Sequence, residues 1–218
     1  MAILDWPVDL VPAKTTWGLQ SNTEAFTSPL NRATQTMERP GARWKVTLEF
    51  PPMNEVKRGR LEGFLAGLGG QAGRFNLWPH QRPSAAILAT PRDATLVLDF
   101  LAQSYQVDGL PVVNGAMANF KLLPTKYWPA STLVLRAGEF LSVGGELKMV
   151  TVDVASDAAG SASIPVAPAF RIAPADGAVL KLSKPTAKMM LATDEYSVAV
   201  TPGRISDVVV VSVIEDLS

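Results

Sequence analysis

Residues 44–77 constrain the fold more than any other stretch of this chain. Trp44, Val46, Leu48 and Phe50 alternate with Lys45, Thr47 and Glu49, which in an extended chain puts an apolar row on one face and a polar row on the other. A half-buried strand is expected there. Pro51-Pro52 ends it, because proline donates nothing to a ladder and restricts the residue before it. Asn54 is placed to cap a helix in which Val56, Leu61, Phe64, Leu65 and Leu68 form the apolar stripe. Lys57 stands where a capping box would need Glu or Gln. Gly69-Gly70 supplies a left-handed stop, and Phe75 and Leu77 resume strand spacing.

The rest of the chain is punctuated by turns. Residues 1–12 look extended, and residues 22–43 are polar with Pro29 and Pro40, as in a long loop or irregular hairpin. After Trp78, the run Pro79-His80-Gln81-Arg82-Pro83 is a natural junction. Beyond it, short strand patterns follow at 94–100, 133–135, 140–143, 146–154, 161–166 and 178–182. They are separated by Asn114-Gly115, Gly144-Gly145 and Asp157 to Gly160. No helical pattern interrupts them, so a small barrel or sandwich is expected. Lys184-Pro185 marks a second break. The last apolar run, Val208 to Val211, suggests a strand buried on both faces in mid-sheet.

The chain has 218 residues, enough for one or two domains. Hydrophobic residues make up 47% and charged residues 18%, below the usual quarter, which points to surface covered by partners. Twenty basic and twenty acidic residues balance, leaving no basic footprint for nucleic acid or anionic lipid. The segment from Met1 to Pro12 lacks the basic start of a signal peptide, and no long apolar run suggests a membrane span.

The residues offer little catalytic chemistry. Cysteine is absent, and with it disulfides and thiolate ligands. His80 is the only histidine, which excludes a two-histidine mechanism; between prolines beside Trp78 it suits a structural role. Glu139, Glu146, Asp153 and Asp157 fall around turns without the spacing of a known cation loop. Gly67, Gly69, Gly70 and Gly73 follow the helix, whereas a phosphate cradle must precede one. No cofactor, metal site or enzymatic activity is expected.

Two groups of motifs carry a resemblance. Arg43-Trp44 leading to Glu49-Phe50-Pro51-Pro52, then the helix, then Gly69-Gly70-Gln71-Ala72-Gly73-Arg74-Phe75 resembles the N-terminal domain of phage distal tail (tail hub) proteins. Phe26-Thr27-Ser28-Pro29-Leu30 and Gln35-Thr36 resemble that family's exposed segment before the strand. Ala137 to Gly145 and Asp157 to Ile164 resemble a β-domain of tail proteins and gene-transfer-agent-like particles, with Glu139 where an Asp is usual.

The resemblance implies a mainly β protein with one short helix. A tail-tube-like β-sandwich or split barrel would be built from 1–92 together with 187–218, with a small OB-like β-barrel inserted at 93–186. It implies a homo-hexameric ring in the virion, at the distal end of the tail tube, assembled in the host cytoplasm. Its partners would be the tail tube protein and tail tip or baseplate proteins, with DNA passing through the lumen without specific binding and no membrane. Thr27, Arg32, Thr36, Arg39 and Arg43, chosen by loop position, are the expected ring contacts. The alternatives are a carbohydrate-binding module using Trp128 or Tyr127, another tube or tip protein, and a small hydrolase with an acid pair.

Overall fold

The computed structural model describes residues 3–85, 111–201 and 205–217. The chain is mainly β, with 42% of it in strands and, among the described residues, a single α-helix. The strand expected at 94–100 lies outside the described residues.

In chain order the elements begin with β1 (Ile3–Asp5), β2 (Lys14–Gln20), β3 (Thr23–Thr27), β4 (Thr34–Glu38), β5 (Arg43–Phe50), α1 (Glu55–Leu68) and β6 (Arg74–Leu77). Next come β7 (Val112–Val113), β8 (Leu122–Lys126), β9 (Leu133–Leu135), β10 (Phe140–Val143), β11 (Glu146–Val150), β12 (Val154–Ala155) and β13 (Ala162–Ala167). The chain closes with β14 (Ala187–Leu191), β15 (Val200–Thr201), β16 (Ile205–Ser206) and β17 (Val209–Glu215). It divides into two compact units, Met1–Leu77 with Lys188–Ser218 and Trp78–Ala187. The sequence reading set these crossings at 92 and 186.

The first unit is a six-stranded sheet in the order β1-β6-β14-β17-β5-β2. The alternation in β5 sends Trp44, Val46, Leu48 and Phe50 inward, all fully buried, while Lys45 faces solvent. Strand β17 lies between β14 and β5, antiparallel to both. It is not buried on both faces, contrary to the expectation from its valine run. Val209, Val211 and Val213 are buried, but Val210 is exposed opposite Glu49, on the face that β5 gives to water. The edge strand β1 runs parallel to β6.

Helix α1 packs Leu61, Leu65 and Leu68 inward. Trp6 stands at the centre of an aromatic group, 5.9 Å from Phe50, 5.1 Å from Phe64 and 5.7 Å from Phe75. Burying each such side chain contributes about 1.5–3 kcal/mol. Asn54 Oδ1 accepts the Lys57 amide at the N-terminus, and Gly69 ends the helix in the left-handed region at φ 65°. Val56 does not join the stripe and is exposed. At about 100° per residue it lies far round the helix from Leu61.

In the second unit a sheet in the order β10-β11-β13-β8-β7 is antiparallel at every described pairing, with a β9-β12 pair beside it. Its core contains Leu123, Trp128, Leu135, Leu141, Val150, Ile164, Val166, Phe170 and Leu180. Val143 pairs with Glu146, so Gly144-Gly145 is a two-residue turn, and both glycines have the positive φ that its twist requires.

Candidate subunit interface

The sheet pairing of β2 with β5 continues outward as β3 with β4, so residues 23–38 form an arm. The ribbon changes register where it leaves the sheet. Gln20 opposes Arg43 and Thr23 opposes Glu38, leaving Ser21 and Asn22 across from residues 39–42. Extra residues on one strand bend a ribbon and break its ladder. Asn22 holds the bend, donating to the Pro40 carbonyl at 2.7 Å and accepting the Arg39 amide at 2.7 Å. At the tip, the Ser28 amide donates to Ala33 and the Arg32 amide to Ser28, each at 2.9 Å.

From Gln20 to Pro40 every residue is exposed except the half-buried Ser28. Cross-strand partners share a face, so the arm has two unlike sides. Thr23, Ala25 and Thr27 oppose Glu38, Thr36 and Thr34 on one, with the two hydroxyls of Thr27 and Thr34 3.2 Å apart. Glu24 and Phe26 oppose Met37 and Gln35 on the other, which sets Phe26 diagonally beside Met37. Phe26 is 64% exposed, Met37 57% and Leu30, at the apex, 96%.

The five residues expected at the interface do not form one cluster. Thr27 and Thr36 share the threonine face. Arg32 sits in the tip with φ 56°. Arg39 pairs with Glu24 at the base of the arm. Arg43 belongs to β5 and donates to Gln20 Oε1 at 3.1 Å. The apolar residues Phe26, Leu30 and Met37 were not chosen from sequence. Their signal was three large apolar side chains within an otherwise polar stretch.

The singled-out carboxylates have structural partners. Glu139 accepts the Arg136 amide, Asp153 the Ala137 amide, and Asp157 the amides of Ala159 and Ser161. Glu146 accepts from buried Lys148 at 2.7 Å and from the amides of Arg171 and Ile172. Burial works to raise the Glu146 carboxyl, but Lys148 and the Arg171 amide outweigh it and hold it below its ordinary range. Trp128 lies in the core with Nε1 bonded to Thr125, whereas Tyr127 is exposed. Among the described residues no group of three His, Asp or Glu side chains is placed to hold a metal, and no helix is long and apolar enough to cross a membrane.

No protein-family model matches this chain, and no curated protein matches it.

Proposed function

We propose that this chain is a structural, non-enzymatic subunit of a phage tail, forming a hexameric ring that joins the tail tube to the tail tip or baseplate. In this reading the first unit is the tail-tube-like sandwich or split barrel, and the second is an inserted OB-like barrel. Its partners are further copies of itself, the tube protein and tip proteins, in a virion assembled in the host cytoplasm.

The arm carries the reading. A two-stranded ribbon is marginally stable alone, and its free strand edges and apolar side chains invite a partner. Phe26, Leu30 and Met37 stand exposed on an arm that the other described residues do not cover. A head-to-tail interface whose rotation closes gives every arm a neighbour and leaves none open. The motifs around Trp44, Gly69-Gly70 and Ala137-Gly138 support the same family. The glycan-binding alternative has less support, because Trp128 is committed to the core and only Tyr127 is presented.

Light scattering over a range of concentrations, with electron microscopy of the same fraction, tests this. A sixfold ring is expected. A threefold species would favour a tip protein, and a monomer that stays monomeric when tube and tip proteins are added would overturn the reading.

A further inference from the structure

The two connections at the ends of the second unit run side by side. The Ala85 amide donates to the Leu182 carbonyl at 3.1 Å, the Lys184 amide to Pro83, and Ser84 bridges Ser183. At the start of this pairing the His80 imidazole lies 4.8 Å from the Trp78 ring, and Lys184 Nζ stands over the same ring at 5.4 Å. Both His80 nitrogens are buried, and neither makes a well-formed hydrogen bond, the Trp78 backbone being the one group that interacts with the ring as an acceptor.

That placement is costly. A neutral imidazole carries one donor and one acceptor, and a buried polar group left unmade costs about 1–3 kcal/mol. An apolar ring would pack there without that cost, yet the chain's only histidine occupies the position.

We propose that His80 makes the paired connections acid-labile: the neutral imidazole leaves residues 83–85 closed on 182–184, and its protonation opens them. A charged imidazole in the closed arrangement would present two N–H donors with only the Trp78 backbone to accept one of them, and charged orphans cost more than neutral ones. Attraction to the Trp78 face returns only about 0.5–1 kcal/mol, and Lys184 already occupies that ring. Of the charged groups around it, Lys184 opposes a second cation, while Arg82 on the same segment is turned to the Gly138 carbonyl. Glu139, in the turn that Arg82 reaches, is engaged with the Arg136 amide. No carboxylate among the described residues contributes to the charge balance of the imidazole.

The sign follows from linkage. Burial lowers the closed-state value from 6.5 to about 4; a hydrogen bond with the Trp78 backbone opposes it, and the charge of Lys184 adds a lesser lowering. Between those values the open state holds a proton that the closed state lacks. Closure is therefore most favoured above 6.5 and weakens as pH falls. The opening constant should rise roughly 25-fold from pH 7 to pH 5.

The test is amide hydrogen exchange on the full chain, corrected for the intrinsic pH dependence, read at Ala85 and Lys184 with Val166 as an internal control. Wild type should lose about 25-fold protection at the two connection amides between pH 7 and pH 5 while Val166 holds. His80→Phe should remove that loss, and His80→Gln, neutral and polar, should remove it as well if the phenylalanine variant does not fold. The imidazole itself can be titrated by NMR without assignment ambiguity, because it is the only one. A midpoint near 6.5, or protection that falls in parallel in wild type and both variants, would overturn the proposal.

Discussion

Lys148 donates to Glu146 across 2.7 Å from within the second unit, with no exposed surface of its own. The two lie two residues apart on β11 and so share a face. Lys148 also donates to the Ala169 carbonyl at 2.9 Å and stands 4.7 Å from the Phe170 ring, while Glu146 accepts the next two amides. Together they fasten residues 169–172, which have no ladder of their own. Removing one partner strands a buried charge, so Lys148→Met should cost about 3–5 kcal/mol in urea unfolding. The double variant with Glu146→Gln should recover much of it. A double variant no better than the single would mean that the ion pair is not what fastens the segment.

Glu146 also predicts an acid limb. Its carboxyl is held below the ordinary value of 4.5, so its contribution is fully present above 4.5 and lost as pH falls through the lower folded value. Glu146→Gln should flatten that limb in a stability-against-pH series while leaving the loss between 6.5 and 4 that belongs to His80.

The glycines fall into two classes. Gly59, Gly63 and Gly67 lie on the exposed side of α1 with nothing within 4 Å of an added Cβ. Alanine at each should stabilise the isolated protein by about 0.5–1 kcal/mol, measured by denaturant midpoint. Gly160 is the opposite case, at φ 72° with its Cβ position blocked by the Trp128 carbonyl oxygen. Gly160→Ala should destabilise by about 2–4 kcal/mol, combining backbone strain with overpacking.

The cap of α1 gives a smaller effect. Asn54→Ala leaves the Lys57 amide without its 3.0 Å acceptor and should cost about 1 kcal/mol. Asn54→Asp should retain it, which circular dichroism during thermal unfolding would show.

The arm separates assembly from stability. Phe26→Ser with Leu30→Ser touches no packed core, so the unfolding free energy of the monomer should stay within about 0.5 kcal/mol of wild type. The same pair should abolish the ring in light scattering. Rings that persist would move the interface away from the arm.

What could be read along the chain was what depends on near neighbours. The alternation in β5, the Asn54 and Gly69 ends of α1, and the Gly144-Gly145 turn each rest on a few consecutive residues and their backbone preferences. The mainly β character with one helix follows from those periods. Which strand meets which does not: Glu215 accepts the Trp44 amide across 171 residues, and β1 joins β6 in parallel. The open face of β17, with Val210 in water, was set by its neighbour β5 and not by its own valines. For the arm, the polar composition of 22–43 pointed to an exposed segment. Only pairing Thr23 with Glu38 put Phe26 and Met37 on one side and the threonines on the other. Lys148 makes the same point for burial: a charged side chain is placed in the interior by the elements folded over it, and residue type alone favours the surface. Local sequence determined the strands, the helix and the turns. Their order, register and exposed faces depended on contacts between residues far apart, whose free energy exists only once the chain has closed on itself.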